Sequence, residues 1–338
     1  PEPSPAETLQ ILSGIAPVYE KHYGVKFDKK ALNRIVEIAG HHIFDRFMPD
    51  KAIDLLDEAG AANSMSADPL KRIPADYVEN LAAEMFHLPK NQLTGDDVSK
   101  LQSLESELRG AVIGQDHAIA AVVQAIKLSR AGLANTEKPV GSFLFAGPTG
   151  VGKTELSKRL ASALGIELIR FDMSEYAEEY AVSKLIGSSP GYVGFEQGGL
   201  LTEQIIRHPH CVLLLDEMEK AHPKIYDLML QIMDYGAMTD NAGRKADFRN
   251  VIVIMTSNVG AKSLSEHAIG FNAQDQTGSR ADAAVRKHFS PEFRNRLDGI
   301  IHFHPLSPDS IRRIVCKFLE EASARLASRK LHLEADDK

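Results

Sequence analysis

The first part of the chain, from residue 5 to about 109, has the hydrophobic spacing of helices throughout. Apolar residues recur there at intervals of three and four, for example Ala31, Leu32, Ile35, Val36 and Ala39. This spacing places them on one face of an amphipathic helix. Pro49 and Pro74 mark the expected starts of two further helices, because proline fits the first helical turn. A fourth, short and charged helix is predicted over 96–109, after a linker at 88–97.

From about residue 110 the pattern changes to short apolar runs that alternate with amphipathic helices. The runs are SFLFA (142–146), IELIRF (166–171), CVLLLD (211–216) and VIVIMTS (251–257). Runs without polar alternation are typical of parallel strands that helices cover on both faces. A further helix is predicted to begin near residue 306. We therefore expect a helical subdomain with a linker over 1–95, an α/β subdomain over 96–305, and the start of a second helical subdomain over 306–338.

Composition narrows the function classes. The 338 residues correspond to roughly two to three domains. A net charge of −7 provides no global basic field for nucleic acid or for an anionic membrane, so we expect neither as a partner. Cys211 and Cys316 lack metal-ligand spacing, which favours a reducing, cytoplasmic compartment. No apolar run is long enough to cross a bilayer. The chain begins at Pro1 without a signal peptide, and we expect it to be part of a longer protein.

A glycine-rich motif, GPTGVGKT, follows the first predicted strand and precedes a predicted helix. It fits the phosphate-binding pattern G-x-x-x-x-G-K-[ST], whose backbone N–H groups surround phosphate oxygens. Lys153 is expected to reach the β- and γ-phosphates of ATP, and Thr154 to ligate Mg²⁺. The alternative is a glycine-rich turn before a helix. The candidate nucleotide-binding residues are Gly147, Pro148, Thr149, Gly150, Val151, Gly152, Lys153 and Thr154.

Two acidic residues, Asp216 and Glu217, follow the apolar run CVLLL. The carboxyl ends of parallel strands are where open α/β sheets bind ligands. We expect Asp216 to bind Mg²⁺ directly or through water. We expect Glu217 to orient and polarise the attacking water as a general base. Alone, an apolar strand that ends in Asp-Glu is a weak signal, but beside a phosphate-binding loop it is a strong one.

Two further polar sites have both a functional and a structural explanation. Asn258 follows VIVIMTS and could sense the γ-phosphate or position the water, or it could simply start a turn. Arg294 and Arg296 in FRNRLD could serve as a finger that reaches the γ-phosphate of a neighbouring subunit. Local sequence alone favours a surface salt bridge for these arginines.

Together the motifs resemble the AAA+ ATPases, and more narrowly the Clp/Hsp100 unfoldases. The similar segments are VIGQ (112–115), GPTGVGKT, GYVGFEQGG (191–199), LLLDEMEKAHP, GRKADFRN (243–250), MTSNVGA and PEFRNRLD. They span about 110–305. Residues 10–66, with DRFMPDKAIDLLDEA, resemble the small helical subdomain that closes the first module of a two-module member. The resemblance implies an AAA+ fold, ATP and Mg²⁺ as cofactors, and a homohexameric ring.

The resemblance also assigns roles to particular residues. Val112 and Ile113 would lie against adenine, and Asn258 would be the first sensor. Arg296 is favoured as the finger, with Arg294 as the alternative. The family's second sensor arginine, in a Gly-Ala-Arg motif, has no counterpart before Lys338. In this family the tyrosine of the GYVG loop projects into the pore and grips the translocating polypeptide. That role would fall to Tyr192, assisted by Val193, between Gly191 and Gly194.

A tripeptide in the polar segment HAIGFNAQDQTGSR (267–280) is the remaining motif. Family members that dock on a ClpP-type peptidase carry an Ile-Gly-Leu/Phe loop here, which would correspond to Ile269, Gly270 and Phe271. The alternative is that Ile269 and Phe271 fold into the core. Only about thirty residues separate AANSM from the helix at 96–109, which leaves no room for the coiled coil of the family's disaggregases.

The resemblance therefore implies an ATP-dependent protein unfoldase that feeds unfolded or tagged substrates to a ClpP-type peptidase. Adaptors would bind through an N-terminal domain outside this sequence. The chain itself shows no protease motif, so we do not expect it to be a protease. One alternative is a chaperone or disaggregase that acts without ClpP. A less favoured alternative is an AAA+ motor on nucleic acid, against which the acidic balance argues.

Overall fold

The computed structural model of the chain describes residues 2–42, 46–85, 97–131, 135, 137–187, 198–260 and 282–327. It divides into two compact units, 1–98 and 99–338. Of the described residues, none lies in a helix that is long and apolar enough to cross a membrane.

The N-terminal unit is built mainly from helices α1 (Pro5–Tyr23), α2 (Lys29–His42), α3 (Asp50–Met65) and α4 (Ala75–Met85). Ser4 and Glu7 form a reciprocal capping box at the start of α1, and Gly24 ends the helix with a φ of 65°. The helical spacing is confirmed, because Ile35, Val36 and Ala39 of α2 lie in the buried core. A short parallel pair that the helical pattern does not predict, β1 (Lys26–Phe27) with β2 (Arg72–Ile73), joins the α1–α2 and α3–α4 connections.

The second unit begins with two helices, α5 (Asp97–Ala111) and α6 (Asp116–Arg130). Its central sheet contains β3 (Gly141–Ala146), β4 (Glu167–Asp172), β5 (Cys211–Asp216), β8 (Ile252–Ser257) and β9 (Gly299–His302). The strand order is β4-β5-β8-β3-β9, and all the pairs are parallel. The predicted α/β class with a parallel sheet and flanking helices is therefore confirmed.

The connecting helices cover both faces of this sheet. They are α7 (Lys153–Leu164), α8 (Glu179–Ile186), α9 (Leu200–Arg207), α10 (Pro223–Tyr235) and α11 (Pro291–Arg296). A further helix, α12 (Pro308–Ala327), follows β9. A hairpin of β6 (Ala237–Thr239) and β7 (Lys245–Asp247) stands between α10 and β8. Its three-residue strands are too short to be predicted from apolar runs. The same is true of β9, which has four residues.

Alternate residues of the central strands feed two separate cores, as the pleat of a strand requires. Phe143, Phe145 and Leu214 pack with α5, α6 and α7 on one face, while Leu144 and Leu213 pack with α8 to α10 on the other. All six residues in each of the strands β3, β5 and β8 are buried. The prediction of two-sided burial is wrong for β4, in which only Ile169 is buried. β4 lies at the end of the sheet, so its remaining side chains are partly or fully exposed.

Candidate nucleotide-binding site

The glycine-rich loop connects the carboxyl end of β3 to α7, and its shape depends on positive φ angles. Gly150 and Gly152 have φ values of 78° and 106°, which favour glycine because a side chain would be strained there. A Cβ on Gly147 would lie 2.5 Å from the carbonyl oxygen of Phe303, after β9. Only glycine fits that close approach. The loop and the first residues of α7 line an open cavity of about 460 Å³.

Lys153 occupies the first position of α7 and is only 8% exposed. Its ammonium group donates to the carbonyl oxygens of Gly147 and Pro148, at 2.5 and 2.8 Å, and to Oδ1 of Asn258 at 2.9 Å. Burial lowers the pKa of Lys153 to about 8, although the nearby carboxylates of Glu219, Asp216 and Glu217 act to raise it. A charged ammonium in this place would find its best partner in an anionic phosphate.

Asp216 stands at the carboxyl end of β5, and its carboxylate is almost completely buried. Its Oδ2 lies 3.4 Å from Thr154 Oγ1 and accepts a hydrogen bond from Arg170 Nη2 at 2.7 Å. The Thr256 hydroxyl, from the neighbouring strand β8, donates to Oδ1. Thr154 and Asp216 thus present hard oxygen atoms side by side at the cavity, which is a donor set that suits Mg²⁺.

No cluster of three or more His, Cys, Asp or Glu residues suited to a metal ion occurs in the described part of the chain. Mg²⁺ at phosphate sites is typically held by one or two carboxylates together with the substrate phosphates.

Glu217 follows Asp216 in the left-handed backbone region, with a φ of 59°. This conformation costs roughly 1–2 kcal/mol for a residue other than glycine. Two contacts stabilise it, because the Glu217 amide donates to Thr256 Oγ1 at 3.0 Å and Lys220 Nζ pairs with Glu217 Oε2 at 2.6 Å. The Glu217 side chain lines the cavity beside Thr154 and Asn258.

Asn258 follows β8 and faces both the lysine and the glutamate. Its Oδ1 accepts from Lys153, and its Nδ2 lies 3.5 Å from Glu217 Oε1. Its backbone amide donates to Glu219 Oε1 at 3.1 Å. Because β3, β5 and β8 are neighbours in the sheet, the structure brings together Lys153, Thr154, Asp216, Glu217 and Asn258 at one edge.

Val112 and Ile113 lie beside this group, in the connection between α5 and α6. Val112 is buried, and a Cβ placed on Gly152 would lie 3.5 Å from Val112 Cγ1. Ile113 is half-buried. Neither residue is among the described residues that line the cavity.

Arg294 and Arg296 lie near the opposite edge of the sheet. Arg294 Nε donates to Phe289 O at 3.2 Å, and Arg296 Nε lies 3.0 Å from both carboxylate oxygens of Asp234. Two residues further on, Asp298 exchanges hydrogen bonds with Ser142 at the amino end of β3. The length of β3, roughly 16 Å, therefore separates these arginines from the cavity of their own chain.

The structure does not describe two of the predicted motifs. The predicted pore-loop residues, Gly191, Tyr192, Val193 and Gly194, lie outside the described residues. The predicted docking tripeptide of Ile269, Gly270 and Phe271 also lies outside them.

Four residues that contact the site were not predicted as members of it. They are Gln115, Arg170, Glu219 and Thr256. Gln115 is 1% exposed and its amide joins Val151 O of the glycine-rich loop, at 3.2 Å, to the backbone of His304. The sequence signal that could have identified Gln115 as a site residue is its position in the VIGQ motif. Arg170 lies close to the carboxyl end of β4, and Thr256 lies close to the carboxyl end of β8.

Comparison with known proteins agrees with this fold. Residues 138–300 match the family model described as an AAA domain of the Cdc48 subfamily, and residues 4–107 match an AAA lid domain. These matches agree with the glycine-rich loop and with the acidic and polar strand ends of the parallel sheet. Together they identify the chain as an AAA+ ATPase.

The chain belongs, within that class, to the Clp/Hsp100 ATPases. It is 50% identical over 335 residues to a ClpA homolog protein of Fuscovulum blasticum, covering 98% of this chain and 42% of that protein. It is 37% identical to ClpC/MecB of Bacillus subtilis, covering 99% of this chain and 50% of that protein. The chain therefore spans about half the length of these curated relatives, and the expected resemblance to the Clp/Hsp100 family is confirmed.

Solved structures of Hsp104 have the same fold. A closed-state structure of Hsp104 with ATPγS and FITC casein has a TM-score of 0.81 and 41% identity, covering 98% of this chain and 58% of that one. A complex of Saccharomyces cerevisiae Hsp104 with casein has a TM-score of 0.80 and 40% identity, covering all of this chain and 59% of that one.

Proposed function

We propose that the protein is an ATP-dependent protein unfoldase and translocase. The observation that carries the proposal is the convergence of Lys153, Asp216, Glu217 and Asn258, from three adjacent strand ends, on one open cavity. The carboxyl edge of a parallel sheet is the ligand-binding edge of such folds. The groups present there are those that phosphoryl transfer to water requires: a cation, a hard-oxygen pair and a candidate base.

Each residue has a separate task in this proposal. The glycine-rich loop and Lys153 hold the triphosphate, and Thr154 and Asp216 would hold Mg²⁺, which neutralises the developing charge when it is bound. Glu217 takes a proton from the attacking water. Asn258, which already contacts both Lys153 and Glu217, orients that water against the γ-phosphate. Val112 and Ile113 contact the adenine.

Arg296 acts between subunits in this proposal. The sheet separates it from its own cavity, so it can complete only the site of another copy. Its carboxylate partner Asp234 holds the guanidinium in a defined place on α10. A ring of identical subunits, a homohexamer by family resemblance, provides that arrangement. Because each subunit completes the site of its neighbour, the subunits are able to hydrolyse ATP in a coordinated order.

The mechanical output is the passage of a polypeptide through the ring. Tyr192 and Val193 grip unfolded or tagged substrates, because an aromatic side chain can pack against many kinds of side chain. Ile269, Gly270 and Phe271 dock a ClpP-type peptidase that receives the substrate. In this interpretation residues 1–95 close the first AAA+ module, 96–305 form the ATPase subdomain of the second, and 306–338 begin its small subdomain.

A second candidate is a chaperone or disaggregase that acts without a peptidase. It is favoured by the similarity to Hsp104 and by 37% identity to the chaperone protein ClpB of Oceanobacillus iheyensis. The two candidates share the ATPase and differ only in the partner. A pull-down with a ClpP-type peptidase separates them.

The ATPase assignment is tested with Glu217→Gln in the full-length protein. The variant should bind ATP with normal affinity and hydrolyse it at least about a hundredfold more slowly, since general-base catalysis contributes at least that much. Glu178→Gln is the matched control, because Glu178 is exposed and is not among the residues that line the cavity. Undiminished hydrolysis by Glu217→Gln would refute the role given to Glu217.

A further inference from the structure

The β6–β7 hairpin contains a short turn, 240–244, that contacts two distant parts of the chain. Within the turn, Asp240 N donates to Arg244 O at 2.9 Å and Gly243 N donates to Asp240 O at 3.0 Å. Met238 and Ala246, which face each other across the hairpin, are buried in the core under the sheet. The turn is therefore anchored to the core by the two strands that flank it.

Asp240 binds the chain where it enters α9. Its Oδ2 accepts the backbone N–H of Gly199 at 3.1 Å and the hydroxyl of Thr202 at 2.8 Å. Its Oδ1 accepts the backbone N–H of Arg244 at 2.8 Å. The side chain is completely buried. Burial acts to raise the pKa of the Asp240 carboxyl, yet the hydrogen bonds from Gly199, Arg244 and Thr202 leave it below its usual value. The carboxylate is thus ionised and held by several donors.

Asn241 binds the chain where it leaves α8. Its Nδ2 donates to Gly187 O at 2.7 Å, and its backbone N–H donates to Ile186 O at 2.9 Å. Adjacent turn residues consequently hold Gly187 and Gly199. These are the two ends of a segment, 188–197, that contains Tyr192.

The two ends also contact each other, and glycine is required at that contact. A Cβ on Gly187 would lie 3.2 Å from the carbonyl carbon of Gly198. A Cβ on Gly199 would lie 2.3 Å from Leu185 O, and a Cβ on Gly198 would overlap the guanidinium of Arg244. Gly187 and Gly198, which flank residues 188–197 in the sequence, therefore lie side by side, and Arg244 of the hairpin packs against Gly198.

The hairpin is continuous with the elements that form the cavity. It follows α10, which begins shortly after Glu217, and it leads into β8, which ends just before Asn258. Phe248 N donates to Gly236 O at 2.7 Å, which joins the two ends of the hairpin to each other. A displacement of either Glu217 or Asn258 can therefore reach the hairpin through a single packed element, α10 or β8.

We propose that Asp240 and Asn241 are positioning residues that clamp both ends of segment 188–197, so that movements at the nucleotide cavity reach Tyr192. The proposal rests on the proposed role of Tyr192 as the residue that grips substrate. The clamp itself does not contact ATP. Its loss uncouples ATP hydrolysis from polypeptide movement and leaves the hydrolysis itself in place.

The test uses the full-length assembly with fluorescently labelled casein as the translocation probe. Asn241→Ala removes the side-chain contact to Gly187 and keeps the backbone one. It should lower the casein moved per ATP hydrolysed about tenfold, within the range seen for residues that couple two sites. Basal ATP hydrolysis should stay close to that of the parent protein. Lys245→Ala is the control, because Lys245 is an exposed residue of the same hairpin.

A structural readout accompanies the activity. Asparagine has one acceptor oxygen where aspartate has two, so Asp240→Asn should speed hydrogen exchange at the Gly199 amide by roughly tenfold, the value of one hydrogen bond. Unchanged exchange there, together with normal casein movement in Asn241→Ala, would overturn the clamp. Parallel Tyr192→Ala measurements separate the two proposals. If Tyr192→Ala abolishes casein movement and Asn241→Ala does not affect it, the clamp is wrong. If Tyr192→Ala has no effect, the proposed role of Tyr192 is wrong, and the exchange data still decide the clamp.

Discussion

The Nζ atom of Lys153 lies 2.9 Å from Oδ1 of Asn258, although 105 positions separate the two residues in the sequence. The contact joins the glycine-rich loop after β3 to the strand end of β8, which pairs directly with β3. Asn258 in turn lies 3.5 Å from Glu217, at the end of the next strand. A single amide side chain thereby connects the phosphate-binding cation with the candidate base.

The first prediction concerns the pH dependence of ATP binding. Burial lowers the pKa of Lys153 to about 8 in the free protein. Below pH 8 the ammonium is charged and ready for phosphate. Above it, binding must be accompanied by proton uptake, so the affinity should fall by up to about tenfold per pH unit. Calorimetry in buffers of different ionisation enthalpy measures that uptake.

Lys153→Met is the control for this effect, because it removes the titrating group, and its residual binding should show no step near pH 8. The stability of the free protein should change in the opposite sense. Since the folded pKa lies below the ordinary value of 10.5, stability should rise between about pH 8 and 10.5. An ATP affinity that stays constant from pH 7 to 9.5 would contradict the assignment.

The second prediction concerns Thr256, whose hydroxyl donates to Asp216 and accepts the Glu217 amide. Thr256→Val preserves the shape and removes both contacts at a site that is 1% exposed. We expect a loss of about 1–3 kcal/mol in the free energy of unfolding. Because the metal-facing carboxylate loses a supporting partner, Mg²⁺ affinity in the presence of nucleotide should fall about tenfold or more. Thr256→Ser keeps the hydroxyl and should retain both properties.

The third prediction concerns catalysis between subunits. Arg296→Ala should bind ATP normally and hydrolyse it roughly a thousandfold more slowly. Lys153→Met should also be inactive, through its own cavity. Mixed assemblies of the two should regain activity, because an Arg296→Ala subunit has an intact cavity and receives Arg296 from its Lys153→Met neighbour.

Arg294→Ala is the matched control, since Arg294 lies on the same helix and contacts only the Phe289 carbonyl among the hydrogen bonds found for its side chain. If Arg294→Ala fails to hydrolyse ATP while Arg296→Ala hydrolyses it at the normal rate, the finger is Arg294. If every combination behaves as the simple average of its parts, catalysis does not cross between subunits.

The fourth prediction concerns the peptidase partner. Phe271→Asp in the full-length protein should abolish retention by immobilised ClpP-type peptidase in the presence of ATP, because a buried apolar anchor typically contributes 2 kcal/mol or more, about thirtyfold in affinity. Asn272→Asp adds the same charge one residue further on and should bind normally. Equal retention of both variants would favour the chaperone that acts without a peptidase.

Much of the fold follows from sequence pattern alone. The helical periodicity of 5–109 and the apolar runs of β3, β5 and β8 are local properties, since a buried face or a strand covered on both sides requires those residues wherever it is packed. The glycine-rich loop is equally local. Its positive φ angles at Gly150 and Gly152 demand glycine whatever surrounds them. The same holds for Gly236, which ends α10 with a φ of 56°.

Contacts between distant segments were decided only by the tertiary structure. Strand order places β8 between β5 and β3, and that order alone brings Thr256 to Asp216 and Asn258 to Lys153. Sequence spacing does not determine which strand ends become neighbours, because several orders bury the same apolar runs equally well. The exposure of β4 follows from its place at the end of the sheet in the same way.

The clamp at Asp240 and Asn241 is the clearest case of this distinction. In the sequence, TDNAGRK is a polar turn with a glycine, typical of any hairpin. What distinguishes it is the set of donors that folding delivers to one buried carboxylate, from residues up to 41 positions away. The sequence by itself thus determined the elements and the chemistry of the phosphate loop. The packing of those elements decided which polar groups meet, because hydrogen bonds depend on positions in space and not on separation along the chain.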